Sequence, residues 1–319
     1  MSFAVVVKPG QQLVVEARAR PVCAEGHVII RSEAVGLNRH DVLQLSATLG
    51  AAHDVLGLEL AGVVVESRSE RLQVGQRVAA LVAHGAMASF VAAEAAHCIV
   101  LPDSMSSVTG AAVVESFATA TLALELANVA LTADAEGKRV LIHAGASALG
   151  LALLSLLAAC PQHQIVATAS SEKLAACRQW GAHNVLDRAT NWGEHLGART
   201  VDAIVDCIGA DYYAANARVL KVDGTLVFLG LLGGAKVDVD LRLHLLARHQ
   251  LKFSVLSTRS SEFKSALLAR MWAHCAPLIA SGVIKVAVHT TVPLHEAQRA
   301  FEMCRENKNI GKIVMTVTS

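Results

Sequence analysis

At 319 residues the chain is long enough for two domains, and with 53% hydrophobic and 17% charged residues it can bury a large core, which excludes an intrinsically disordered chain. Its 28 basic and 27 acidic residues leave a net charge of +1, too little to draw it to nucleic acid or an anionic membrane. Seven scattered cysteines (Cys23, Cys98, Cys160, Cys177, Cys207, Cys275 and Cys304) lack the close pairing of a disulfide framework or a four-cysteine zinc lobe, and read as reduced thiols of a cytoplasmic protein.

The N-terminal MSFAVVVKPGQQ has no charged leader before a long apolar run, so no signal peptide is expected. Residues 1 to about 113 are β-rich: AVVV, HVIIRSEAVG, ELAGVVVES, QRVAALV and SFVAA are punctuated by Gly26, Gly62, Gly75 and Gly85. They predict a small, twisted, partly closed β domain. From Ala111, AAVVESFATATLALELANVA carries no Gly or Pro and predicts a helix. From Arg139 the rhythm changes. RVLIHAG, QIVATAS, HNVLD, VDAIVDCIG, GTLVFLG and LKFSVLS read as strands; SALGLALLSLLAAC, SEKLAACRQWG and ADYYAANARVL read as the helices among them. This alternation predicts a doubly wound parallel sheet of α/β class. The helices SEFKSALLARMWAHCAPLIASG and VPLHEAQRAFEMCRENKN then precede a closing strand, GKIVMTV, expected to return to the first domain. The Rossmann unit is thus read as an insert. The longest apolar stretch, Leu149 to Cys160, is too short to span a bilayer.

HAGASALG, His143 to Gly150, follows a β-branched strand and opens an Ala/Leu helix, the setting of a dinucleotide fingerprint. Small residues let the backbone approach a pyrophosphate, and the helix N-terminus offers unpaired N–H groups and a partial positive charge. The run Ala144, Gly145, Ala146, Ser147, Ala148, Leu149, Gly150 departs from the pattern. Ser147 stands where the middle glycine often falls, which is tolerable if its φ is negative, and its hydroxyl is then a candidate phosphate ligand. An ordinary tight turn is the alternative; the βαβ pattern that follows favours the dinucleotide. About 20 positions on, where an acid would hold the ribose 2′-OH of NAD, the chain reads Thr168-Ala169-Ser170-Ser171-Glu172-Lys173. Ser170 and Lys173 suit a 2′-phosphate, which favours NADPH over NADH. Glu172 would repel it and is read as a first-turn helix acid pointing to solvent. Arg188 is a candidate for the adenine or its phosphate, or else a solvated surface arginine.

Metal-binding dehydrogenases of this architecture take zinc from an early Cys, a His-Glu pair and a later Cys. The corresponding stretches are Gly36-Leu37-Asn38-Arg39-His40-Asp41 and Leu56-Gly57-Leu58-Glu59. Asn38 stands in the cysteine place and Leu58 in the histidine place; an amide and an alkyl group cannot hold zinc. His40, His53, His84 and His97 lack ligand spacing, and no metal is expected.

Taken together, LNRHDVLQ, VLGLELAGVV, VLIHAGASALG, VDCIG, FLGLLGG and NKNIGKIV, spread over nearly the whole chain, resemble the medium-chain dehydrogenase/reductase superfamily. The likeness is to its zinc-free quinone oxidoreductase (zeta-crystallin-like) branch, and most of all to the tumour-suppressor-inducible NADPH quinone oxidoreductase subgroup. The resemblance implies a discontinuous GroES-like, β-rich substrate domain, residues 1–115 and 260–319, around a Rossmann cofactor domain, residues 116–259. It implies Asn38 and Thr119 near the nicotinamide, and Cys207 and Ile208 passing the cofactor, with plain strand-end packing as the alternative. Gly230, Leu231 and Leu232 would flank the nicotinamide side, Leu256 and Ser257 the same cleft, and Lys312 would return to the cofactor. Two departures reduce aromatic contact with ligands. The tyrosine the family has after LNRxD is missing from Ser46-Ala47-Thr48-Leu49-Gly50-Ala51-Ala52-His53, and its tyrosine after the third Rossmann strand is replaced by Arg188.

The reaction implied is hydride transfer from NADPH to a quinone, with Asn38 orienting the acceptor or the carboxamide and solvent protonating the product. Reduction of an enone or 2-alkenal, and a non-catalytic NADPH-binding protein of crystallin or RNA-binding type, are the alternatives; the near-zero net charge counts against RNA. A homodimer through the apolar last Rossmann strands, LVFLGLL and LKFSVLS, is the expected assembly.

Overall fold

A computed structural model describes residues 2–46 and 53–317. The chain separates into two units, one of Met1–Ala118, Arg259–Gly282 and Val286–Ser319, the other of Thr119–Thr258 with Val283–Lys285.

The first unit begins with strands β1 (Phe3–Lys8), β2 (Gln12–Ala17) and β3 (His27–Leu37), a short helix α1 (Arg39–Leu45), and strands β4 (Glu59–Ser67), β5 (Arg77–Leu81), β6 (Phe90–Glu94) and β7 (Cys98–Val100). Helix α2 (Ser107–Leu126) carries the change of unit, at Ala118, three residues beyond the boundary expected at 115. The second unit runs β8 (Arg139–Ile142), α3 (Ala148–Ala158), β9 (Gln164–Ala169), α4 (Leu174–Gln179), β10 (Asn184–Asp187), α5 (Trp192–Leu196), β11 (Val201–Asp206), α6 (Ala210–Val219), β12 (Leu220–Phe228), α7 (Leu241–Ala247) and β13 (Gln250–Phe253). The chain then gives α8 (Ser261–Ala280), β14 (Val288–Pro293), α9 (Ala297–Arg305) and β15 (Lys312–Thr316) to the first unit. The brief visit of Val283–Lys285 to the second unit has no sequence signal.

In the first unit, β14-β15-β3-β4-β5-β7 form one sheet, β6 adds to β3, and β1 and β2 form a separate hairpin. The β-branched run of β3 packs Val28, Ile30 and Val35 against Leu60, Val64, Met87, Phe301 and Met315. The closing strand does return: β15 runs antiparallel to β3, with Ile313 opposite Leu37 and Val314 opposite Gly36. Gly36 also faces Glu59 across the β3–β4 ladder. These two registers bring residues 38, 59 and 312 to one end of the sheet.

The second unit is a six-stranded, wholly parallel sheet in the order β10-β9-β8-β11-β12-β13. The middles of its central strands, Val140 to Ile142 and Ala203 to Val205, are apolar and buried because helices cover both faces of such a sheet. Leu141, Val166, Ile204 and Leu226 pack with Trp192 and Phe228.

Four expectations change. VPLHEAQRAFEMCRENKN does not start as a helix: Val292 and Pro293 end β14, a 3₁₀ turn, Leu294–Glu296, follows, and α9 stops at Arg305. LKFSVLS is a strand only to Phe253, because its neighbour β12 ends at the paired Phe228; a single 3₁₀ turn, Leu256–Thr258, follows. SEKLAACRQWG divides into a 3₁₀ turn, Ser171–Lys173, and α4. The apolar segment of interest to a bilayer is α2, not Leu149–Cys160: α2 alone among the described helices is long and apolar enough to cross a membrane, yet it is mostly buried in the fold, with Phe117, Leu122 and Leu124 in the core.

Candidate active site

Asn38 follows β3 and caps α1, where its backbone N–H donates to Asp41 Oδ2 at 2.8 Å. Its side chain belongs to a buried polar cluster in the first unit. Lys312 donates from Nζ to Asn38 Oδ1 at 2.6 Å and to Glu59 Oε1 at 2.7 Å, and Asn38 Nδ2 donates to Glu59 Oε1 at 3.0 Å. The other carboxylate oxygen, Glu59 Oε2, accepts the backbone N–H of Glu115 at 2.9 Å. Lys312 is 1% exposed and Glu59 fully buried. Space for that carboxylate depends on Gly36, since a Cβ there would come 2.5 Å from Glu59 Oε1 and 2.2 Å from the Ala111 carbonyl.

Burial pulls the Lys312 ammonium down, but the carboxylates of Glu59, Glu115 and Asp41 outweigh it and raise its pKa above the ordinary value. Asp41 goes the other way for an acid. Burial pushes its carboxyl up to about 7, against the lowering effect of the Asn38 N–H and Lys312. The ammonium also fixes the Asn38 amide: with Oδ1 on a cation and Nδ2 on a carboxylate, only one flip satisfies both.

The phosphate turn belongs to the second unit. Ser147 has φ −71°, the negative value that a serine in this place requires. Its Oγ caps α3, accepting the Gly150 N–H at 3.0 Å. Gly150 admits no side chain, since a Cβ would lie 2.4 Å from the Ala144 carbonyl and 2.5 Å from that of Gly145. Ala144 sits in the left-handed region at φ 52°, a conformation natural to glycine. Ala146 is buried, and Ala148 and Leu149 are half-buried in the first turn of α3. Close-packed backbone and a helix N-terminus together fit a pyrophosphate.

At the end of β9, Ser170 donates to Glu172 Oε1 at 2.6 Å, and Ser171 donates to Asp187 Oδ2. Glu172 is exposed, as expected, but folds back onto Ser170. That hydrogen bond first, then its own backbone N–H and the charges of Lys173 and Arg188, lower its pKa. Arg188 is tied beside this turn by its backbone N–H, which donates to the Ala169 carbonyl at 2.8 Å.

Cys207 and Ile208 follow β11 and meet the loop after β12: the Cys207 carbonyl accepts the Leu232 N–H at 3.2 Å and the Ile208 carbonyl that of Gly233 at 2.7 Å. A Cβ on Gly230 would lie 3.2 Å from the Cys207 carbonyl. Leu231 and Leu232 are half-exposed. Leu256 and Ser257 lie in the 3₁₀ turn after β13, and Thr119 lies in α2.

So Asn38 and Lys312 come together in the first unit; Ala146 to Gly150, Ser170, Lys173, Arg188, Cys207, Ile208 and Gly230 to Leu232 line the strand ends of the second. The roles of Asp41, Glu59 and Glu115 were not read from sequence, nor was a buried chain through His143, Thr168, Asn216 and Asp206. A carboxylate directly after an apolar run, as in LGLE, was the available signal for Glu59. Residues 47–52, where the family's tyrosine would stand, lie outside the described residues.

Comparison with known proteins agrees with this arrangement. Residues 24–120 match the alcohol dehydrogenase GroES-like domain and residues 180–315 match the zinc-binding dehydrogenases. Quinone oxidoreductase-like protein 2 of Bos taurus is 25% identical over 313 residues, 95% of this chain and 88% of that protein. A mycobacterial structure complexed with NADPH superposes with a TM-score of 0.86 at 26% identity, over 99% of this chain and 100% of that one. The chain belongs to the zinc-free quinone oxidoreductase branch of the medium-chain dehydrogenase/reductase superfamily. Polyketide synthase GfsB of Streptomyces halstedii is 31% identical over 310 residues, but these cover 94% of this chain and only 5% of the synthase.

As a medium-chain dehydrogenase/reductase, the chain has filled the metal place with its own groups. Leu58, in the histidine position, is buried, and Asn38, in the cysteine position, gives its oxygen to an ammonium. The Glu59 carboxylate is neutralised by Lys312. An amide and a carboxylate already paired to a protein cation do not fit zinc, which takes thiolate or imidazole.

Proposed function

We propose that this protein is an NADPH-dependent quinone oxidoreductase that transfers hydride without a metal. The observation that carries the reading is the turn from Ala144 to Gly150, where Ser147 keeps a negative φ and Gly150 leaves room for nothing but backbone. The NADPH bound by the mycobacterial relative and the name of the bovine one support the cofactor and the acceptor class.

In this reading Ala146, Ser147, Ala148, Leu149 and Gly150 hold the pyrophosphate, and Ser170, Lys173 and Arg188 the 2′-phosphate. Thr119, Cys207, Ile208, Gly230, Leu231, Leu232, Leu256 and Ser257 serve the nicotinamide half. NADPH supplies the hydride when bound. The protein has to hold donor and acceptor about 3–3.5 Å apart and exclude water. Asn38 is the acceptor-positioning residue: its Nδ2 has a second N–H beyond the one given to Glu59, and we assign that N–H to an acceptor oxygen. Lys312, on the closing strand expected to return to the cofactor cleft, holds the Asn38 amide. Solvent protonates the product.

Asn38→Ala is expected to lower kcat/KM for 1,2-naphthoquinone by about tenfold to a hundredfold, the scale of a lost positioning contact; unchanged turnover of every accepted quinone refutes the role. Reduction of an enone or 2-alkenal is the second reading. It uses the same hydride geometry with carbon as acceptor, and the presence of this fold in a solved enoyl reductase supports it. A cytoplasmic setting and a homodimer complete the proposal. No disulfide joins the described cysteines. The edge strand β13 exposes Phe253, and α7 exposes Leu241, Leu245 and Leu246, a surface suited to a second copy of this chain.

A further inference from the structure

One buried imidazole ties together the strand ends on which the proposed cofactor site is built. His143 directly follows β8 and is 3% exposed. Its Nδ1 lies 2.9 Å from Thr168 Oγ1 in β9, and its Nε2 lies 2.7 Å from Asn216 Oδ1 on α6. Asn216 Nδ2 donates to Asp206 Oδ2 at 2.9 Å, and Asp206, the last residue of β11, accepts the backbone N–H groups of Ile208 at 2.5 Å and Gly209 at 3.3 Å. The rings of Trp192 and Tyr212 stand edge-on to the imidazole, with centroids at 4.9 and 4.7 Å.

The direction of every bond in this chain follows from its chemistry. Asn216 spends an N–H on Asp206, so its oxygen faces His143 and can only accept. His143 Nε2 therefore carries a hydrogen. Burial lowers the imidazole pKa below its ordinary value, against the raising effect of Asp206 and Asn216, so the ring is neutral and Nδ1 has a lone pair. The Thr168 hydroxyl donates to it. One tautomer satisfies all four residues.

Each end of the chain fixes a turn. The Thr168 carbonyl accepts the Gly145 N–H at 2.9 Å, which anchors the phosphate turn, and Ser170 is two residues further on. Asp206 anchors the Cys207–Gly209 turn, which in turn holds Leu232 and Gly233.

We propose that His143, as its Nε2–H tautomer, is a positioning residue for the dinucleotide: it sets the phosphate turn, the 2′-phosphate turn and the turn after β11 relative to one another. The inference rests on the NADPH reading above.

The test is NADPH affinity of the full-length protein, by fluorescence titration, with thermal unfolding measured in parallel. His143→Leu is expected to raise the NADPH Kd roughly tenfold or more, since small misplacements of a binding turn have effects of this size. His143→Gln offers an amide acceptor and donor spaced much like the two ring nitrogens, and is expected to recover affinity to within about threefold of wild type. Thr168→Val removes one hydroxyl while conserving shape, and is expected to weaken NADPH several-fold; it decides the matter if His143→Leu does not fold. Loss of thermal stability with an unchanged Kd in Thr168→Val or His143→Leu overturns the proposal, as does a His143→Gln protein that binds no better than His143→Leu. A wild-type protein that does not bind NADPH sinks the cofactor reading itself, and this inference with it, which is a distinct result.

Discussion

Lys312 and Glu59 form an ion pair with almost no exposure, so the energetic asymmetry of buried charge applies to them. Removing one partner strands the other in the core, a loss of about 3–5 kcal/mol, whereas removing both is far milder. Lys312→Met should therefore lose stability on this scale in urea unfolding, and the double variant with Glu59→Gln should recover much of it. A loss below about 1 kcal/mol for the single change contradicts a stranded charge. Asp41 gives a pH signature. Its carboxyl is raised from 3.8 to about 7 in the fold. Between those values the folded protein holds a proton that the unfolded chain has lost, so the Asp41 contribution to stability falls as pH rises towards about 7 and is level above it. Melting temperatures taken across this range should fall less in Asp41→Asn than in wild type; an equal or steeper fall refutes the assignment. These roles were hidden in the sequence for a simple reason. Residues 38, 59 and 312 are far apart in the chain, and the strand registers Ile313–Leu37 and Gly36–Glu59 join them.

The strand-turn-helix of β8 and α3 was legible from residue types alone, because apolar period, small residues and position between strands all agree. What was not legible was which residue carries the backbone strain. The unusual serine is unstrained and caps the helix, while Ala144 takes the left-handed conformation. Ala144→Gly should relieve roughly 1–2 kcal/mol of strain against about 0.5–1 kcal/mol of added chain entropy, a modest net gain in stability. A variant that unfolds more easily than wild type contradicts this account of the turn. The helices α1, α5 and α7 escaped sequence reading because five to seven residues show too little period to stand out from loops. The strand β13 was overextended because LKFSVLS stays apolar past the point where β12 stops offering a partner.

At the scale of the whole molecule, the order of elements was readable: a β-rich unit, an inserted parallel sheet, and a last strand that returns to the first. The exposed apolar surface lies partly in LKFSVLS, where the sequence pointed, and partly on α7, which the sequence did not reveal. Phe253 is 68% exposed and Leu245 76%, on an edge strand and the helix before it. Light scattering at micromolar concentration is expected to give a dimer, and Leu245→Glu with Phe253→Glu to give a monomer; a monomeric wild type refutes the proposed assembly. The central claim is tested most directly by steady-state NADPH oxidation with 1,2-naphthoquinone and with a 2-alkenal, on wild type and Asn38→Ala. The account predicts rapid quinone turnover with NADPH, slower turnover of the alkenal, and a marked loss in Asn38→Ala. NADPH binding with no quinone turnover would contradict it.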